Sequence, residues 1–150
     1  MKWILLCLMA ISPAVFANDE LKTIYVDFET ARAANDVEKL DSMMGQKFRA
    51  WHTLSVDGLG DMTKPYSRES VLKMAAKAAS EGKAISFDSS NVSIEVKSKK
   101  KFCGSSTEVS LVEEEGKTSE KTVASTVCFK NKKGQYQATK HTIKISFKDA

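Results

Sequence analysis

Apolar residues recur at helical spacing in three places before Gly82, with one alternating stretch among them, and from Ala84 onward the alternation continues almost to the end. Leu21, Ile24, Tyr25, Phe28 and Ala31 fall at three-and-four spacing, the stripe of a helix with one buried face. Asn18 is the expected N-cap, with Asp19 and Glu20 in the first turn, where carboxylates meet the positive end of the helix dipole. Asn35-Asp36 breaks this helix and caps a short second one that turns Val37, Leu40 and Met44 inward before Gly45 ends it. Lys47 to Val56 alternates as a strand, with Phe48, Ala50, His52, Leu54 and Val56 on one face and Arg49, Trp51, Thr53 and Ser55 on the other. Residues 57–65, with Gly58, Gly60 and Pro65, read as the one long irregular loop. A third helix opens at Ser67, with Tyr66 stapled onto Val71, and runs through Leu72, Ala75 and Ala79 to Gly82.

The second half predicts four strands at about 84–97, 102–113, 118–130 and 135–147, joined by polar turns. Glu115-Gly116 is the expected two-residue turn between the middle pair. If Glu114 faces Lys117 across that turn, Cys103 falls directly opposite Cys128 at a closely spaced, non-hydrogen-bonded position that a disulfide can bridge.

Composition fits this plan. With 42% hydrophobic and 28% charged residues, 7 Gly, 2 Pro and 3 Cys in 150 residues, collagen-like, disordered and disulfide-dense classes are excluded. Residues 1–17 add a compartment. Lys2, the apolar run from Trp3 and the small residues Ala14 and Ala17 make a secretory signal peptide, cleaved after Ala17 and taking Cys7 with it. The run is too short for a membrane span and Pro13 interrupts it. One domain over 18–150, periplasmic or secreted and not membrane-embedded, is therefore expected. Export in turn favours a Cys103–Cys128 disulfide over a metal or catalytic thiol pair, a cross-link worth about 3 kcal/mol on chain entropy.

Two helices, a strand, a helix and four long antiparallel strands, with Ile24, Tyr25 and Phe28 buried on the first helix and Asp57-Gly58 leading toward Ser67-Arg68-Glu69, resemble the NTF2-like superfamily, also called SnoaL-like or ketosteroid-isomerase-like. The resemblance spans Leu21 to Phe147 and implies an α+β cone: three N-terminal helices packed on a curved, mostly antiparallel sheet. It also implies a pocket at the open end that serves as an active site or a partner surface, and an outer sheet face through which relatives dimerise.

Catalytic relatives place an acid or base in that pocket. Here the inward face of the first strand carries no carboxylate, and its titratable group is His52; His141 alternates with Ile143, Ile145 and Phe147 on another apolar face. With Tyr25 these are weak catalytic candidates, since a histidine on an apolar strand face is more often a hydrogen-bonded core residue. Zinc would need three or four ligands, and with the cysteines paired no metal site is expected. Gly-rich phosphate loops, GxSxG and HExxH motifs are absent from the sequence, and no cofactor is expected.

The net charge of +4 conceals a separation. Lys97, Lys99, Lys100 and Lys101 follow the first long strand and Lys130, Lys132 and Lys133 follow the third, whereas Glu113, Glu114, Glu115 and Glu120 surround the turn between. In an up-and-down sheet the lysines share one end. They suit an anionic surface or acidic protein, although lysine-rich turns also solubilise hairpins and guard sheet edges. No aromatic residues are interleaved, so nucleic acid is not an expected partner. Arg49 and Trp51 form a second candidate interaction patch.

The resulting expectation is a non-catalytic periplasmic binding module. It would take a small apolar ligand near Tyr25, Phe28, His52, Leu54 and His141, or a protein partner or second copy at Arg49, Trp51, Lys99, Lys100, Lys101, Lys132 and Lys133. The alternatives are an isomerase- or dehydratase-like enzyme with His52 as general base, and a periplasmic inhibitor or immunity protein.

Overall fold

The computed structural model describes the backbone of residues 13–149 and the side chains of residues 18–148. The body of the expected signal peptide, residues 1–12, lies outside the described residues. Three helices, α1 (Pro13–Ala33), α2 (Val37–Met43) and α3 (Arg68–Ser80), cover one face of a six-stranded sheet. Its strands are β1 (Met44–Val56), β2 (Gly60–Ser67), β3 (Val92–Ser98), β4 (Lys101–Glu114), β5 (Lys117–Lys132) and β6 (Gln135–Asp149), in the order β2-β1-β6-β5-β4-β3. Every pairing is antiparallel except β1 with β6, which is parallel.

The helix caps follow local chemistry. Asp36 and Ser67 cap α2 and α3 by accepting from the backbone N–H groups of Lys39 and Ser70. Asn35 takes φ of 55° after α1, so that the Asp36 N–H reaches the Ala31 carbonyl and the Asn35 N–H the Arg32 carbonyl. The helix α1 runs on through Asn18, which therefore does not cap it, and its first buried described side chain is Leu21. Gly45 does not end α2 either: Met44 already has extended dihedrals and opens β1.

Two further expectations are corrected. The segment at 57–65 is a hairpin, in which β1 turns at Asp57, Gly58 and Leu59 and returns as β2, with Trp51 opposite Pro65 and Val56 opposite Gly60. Pro65 is tolerated because β2 is an edge strand, where a missing N–H leaves no inner ladder broken. The first long strand begins only at Val92, not near 84. Ile85 instead donates its N–H to the Ala33 carbonyl at the end of α1, and Phe87 packs edge-on against Tyr25. This connection is tied to the helices, not to the sheet.

Elsewhere the register matches the alternation. Glu114 pairs with Lys117, Cys103 with Cys128, and the two cysteines form a disulfide across a Cα separation of 4.0 Å. Between Phe129 and Cys128 the partner strand gains one residue, Thr139, which makes a β-bulge. The bulge lets both Ala138 and His141 face the helices. The core is aromatic: Phe102 stacks on Phe129 at 4.8 Å, Phe28 meets Phe129 edge-on at 5.9 Å, and Tyr25, Phe48, Leu40 and Val127 complete it.

Candidate functional site

Registers and alternation order the helix-facing side chains in rows across the sheet. One row is Tyr66, Ala50, His141, Val127 and Gly104; the next is Lys64, His52, Ile143, Ser125 and Ser106; then come Met62, Leu54, Ile145, Val123 and Glu108. The first is covered by the core. In the last, Leu54, Ile145 and Val123 are only half-buried and Met62 is exposed. Here the sheet outruns its helices, and a cavity of about 780 Å³ opens over it. Val123, Ile143 and Ile145 form its apolar floor, Arg32 and His52 stand toward the core, and Asp88, Asn91, Glu108 and Lys121 lie around it.

Behind the cavity is a buried polar network that α1 supplies at i, i+4 and i+7. Tyr25 Oη meets Ser106 Oγ at 2.8 Å and donates to the Ser125 carbonyl at 3.4 Å. Glu29, with no exposed surface, accepts from Arg32 Nε at 2.8 Å and from Ser125 Oγ at 2.8 Å. Because the Ser125 proton goes to Glu29, the 2.9 Å contact between Ser125 Oγ and His141 Nε2 requires the ring to donate, which fixes the tautomer with Nε2 protonated. Glu29 Oε1 is also 3.5 Å from His141 Nε2, but its charge is matched by Arg32. Burial, then Arg32 and His52, holds His141 well below the usual imidazole range. Burial and the Glu29 charge push the Tyr25 phenol up, so it stays protonated.

His52 lines the cavity, its ring 4.6 Å from that of Tyr66 and 6.5 Å from that of His141. Partial burial, with Arg32 nearby, lowers its pKa and leaves a neutral imidazole facing the cavity. Such a ring can donate one hydrogen bond and accept another, or take a proton.

The residues anticipated from sequence thus separate. His52 faces the cavity and Leu54 sits in the adjoining row, whereas Tyr25, Phe28 and His141 are fully buried behind its wall. Arg49 and Trp51 lie on the opposite face of the sheet, away from the helices. Trp51 is half-buried there, opposite Pro65 and with Lys140 Nζ 5.2 Å from its ring centre. Lys99, Lys100, Lys101, Lys132 and Lys133 are exposed at the far end of the sheet.

Sequence reasoning missed Glu29, Arg32, Ser106 and Ser125. For Glu29 and Arg32 the signal was the spacing: they continue the stripe from Tyr25 and stand three residues apart, where a helix lets an ion pair form; Ser106 and Ser125 had no such signal. Among the described residues no group of three or more histidine, cysteine or acidic side chains could hold a metal ion, and no helix is long and apolar enough to cross a membrane.

No protein-family model matches the chain, and no curated protein matches its sequence. Solved structures do match. The chain is similar to an NTF2-like protein with a cystatin-like fold from Novosphingobium aromaticivorans, at 11% identity and a TM-score of 0.54 over 88% of this chain and 84% of that one. A hexachlorocyclohexane dehydrochlorinase, LinA-type3 from Novosphingobium barchaimii, matches at 14% identity and a TM-score of 0.56 over 91% and 92%. An NTF2-like protein of unknown function from Pseudomonas putida matches at 10% and 0.58 over 87% of each chain. With three helices on one face of a mostly antiparallel six-stranded sheet and these likenesses across nearly its whole length, the chain has the NTF2-like fold.

Proposed function

We propose that this protein is exported, loses residues 1–17, and holds a small, largely apolar ligand with a polar end in the cavity over β1, β6 and β5. The observation that carries this reading is the extension of the sheet beyond its helices. The row of Met62, Leu54, Ile145 and Val123 remains partly open to solvent beside a cavity of about 780 Å³, the size class that takes small organic ligands. Burying that floor under an apolar group removes its contact with water, and Arg32 and His52 stand where a polar end would need partners. Cleavage after Ala17 is compatible with the packing, because Asn18, Asp19 and Glu20 are exposed and, among the described side chains, the first buried one is Leu21. The Cys103–Cys128 disulfide suits an oxidising compartment.

Native mass spectrometry of the full-length protein, expressed with its leader and recovered from the periplasm, tests this. The expected result is an intact mass beginning at Asn18 plus a small molecule lost on denaturation, together with saturable binding of an environment-sensitive apolar dye. Val123→Trp, which fills the cavity from its floor, should abolish both. An apo mass with no dye binding overturns the reading.

A second reading is favoured by one feature. His52 is neutral and faces the cavity, as a general base must. A proton abstraction from a cavity-bound substrate, in the manner of an isomerase or dehydratase, would be lost in His52→Ala and kept in Val123→Ala. Less supports a partner on the outer face, where Pro65 and Lys140 already shield part of Trp51.

A further inference from the structure

We infer that the lysine-rich end of the sheet is a docking surface for anionic lipid headgroups. The two turns that carry it are fixed side by side. Lys101 pairs with Lys130 across β4 and β5, and the Asn131 N–H donates to the Lys100 carbonyl at 2.8 Å, joining the β3–β4 turn to the end of β5. The β5–β6 turn is tight, with Lys132 opposite Gln135, Lys133 at φ of 53° and the Gly134 N–H bound to Asn131 Oδ1. Lys97, Lys99, Lys100, Lys101, Lys130, Lys132 and Lys133 therefore project from a backbone platform, not from flexible loops. Among the described residues only Lys97 has a carboxylate partner, Glu95.

The choice of lysine and the shape of the platform select the partner. Compact ammonium groups on long stems, spread across two adjacent turns, suit a plane of phosphates; a single phosphate or carboxylate is better held by the planar fork of arginine. The opposite end of the sheet carries Glu113, Glu114, Glu115 and Glu120 and, at the tip of the β1–β2 hairpin, Asp57 and Asp61, which outnumber the lysines set among them, Lys117, Lys121, Lys148 and Lys144, the last paired with Asp61 at 3.1 Å. A molecule with this charge separation is turned by a negative surface so that its lysine end faces it. The cavity is lined from the halves of β4 and β5 nearer the Glu115 turn, including Glu108, Ser110, Lys121 and Val123. Docked by its lysines, the protein keeps the cavity on the side away from the lipid. This inference does not depend on what the cavity binds.

Vesicle co-sedimentation tests it, with phosphatidylglycerol mixed into phosphatidylcholine and with phosphatidylcholine alone. The protein recovered from the periplasm should bind only the anionic vesicles and should be released at about 1 M salt, where the Debye length falls to about 3 Å. A variant with Lys99→Glu, Lys100→Glu, Lys132→Glu and Lys133→Glu should bind at least about a thousandfold more weakly. A control with the same change in net charge placed on the helices, Lys22→Glu, Lys39→Glu, Lys73→Glu and Lys77→Glu, should bind nearly as the parent does. Circular dichroism confirms that both fold. Equal loss in the two variants means that net charge alone acts and overturns the docking surface. So does failure to bind anionic vesicles, including the case in which the lysine end retains soluble polyphosphate or single-stranded nucleic acid but no lipid.

Discussion

The ring of Tyr25 lies directly on the backbone of Gly104: a Cβ at residue 104 would overlap the Cβ, Cγ and Cδ2 atoms of Tyr25. This contact sets the distance of α1 from β4, and so places Tyr25 Oη on Ser106 and, one and two turns further along, Glu29 on Ser125 and Arg32 at the cavity. Close approach of helix to sheet is what brings the polar network within hydrogen-bonding range.

Gly104→Ala should therefore cost about 2–3 kcal/mol, as overpacked cores do when the neighbour is an aromatic ring with nowhere to move. Chemical denaturation reads the loss directly. An unchanged midpoint would mean that α1 can lift from the sheet without consequence, and the network behind the cavity would then not be rigid.

Acid should weaken the fold through His141. Its pKa in the folded chain lies well below the unfolded value of 6.5, held there by burial and by Arg32 and His52. Below pH 6.5 the unfolded chain takes up a proton that the folded chain refuses, so stability is full above that pH and falls as pH drops. The slope approaches about 1.4 kcal/mol per pH unit for one such group. His52, also lowered, adds in the same direction. Urea midpoints between pH 7.5 and 5.5 should decline in the parent and decline less steeply in His141→Gln, which can still donate to Ser125. Parallel slopes would show that His141 does not titrate between the two states.

The disulfide lies on the face of the sheet away from the helices, opposite in phase to Phe102 and Phe129. It joins strands whose ladder is already continuous on both sides of it, so its contribution is to the unfolded chain. Replacing both cysteines with alanine should cost about 3 kcal/mol, or about 10 °C in Tm. Dye binding in the cavity should survive, because Val123 and Ile143 pack on the other face. Loss of binding together with stability would tie the cavity to the cross-link.

How much was legible from the chain depends on the range of the determining contact. The β4–β5 register followed from one two-residue turn, because a period of two carries a turn's phase along both strands to Cys103 and Cys128. Strand β2 was hidden by Gly58, Gly60 and Pro65, which mark loops unless the strand is an edge, and being an edge is settled only by the sheet order. The parallel pairing of β1 with β6 joins residues about ninety positions apart, such as Ala50 and His141, and no local pattern announces it. The site divided in the same way. His52 was found from alternation, whereas Glu29 looks like a solvated helix residue until Ser125 and Arg32 are brought to it by the fold.

The turn that carried the register is itself not optimal. Glu115 and Gly116 both have positive φ, 51° and 76°, the dihedrals of the primed turn that matches the twist of a hairpin. Gly116 adopts them freely, but a glutamate Cβ crowds the backbone in the left-handed region. Asparagine tolerates that region better, and the same chain uses it at Asn35, where φ is 55° at the end of α1. Glu115 is exposed and makes no ion pair among the described residues, so its replacement removes no contact that the hairpin needs. Glu115→Asn should thus stabilise the protein by about 0.5–1 kcal/mol, seen as a higher denaturation midpoint with an unchanged m-value. It should also leave vesicle binding intact, because the lysines stand at the opposite end of the sheet. A lower midpoint would show that the Glu115 side chain supports the turn in a way its backbone angles do not reveal.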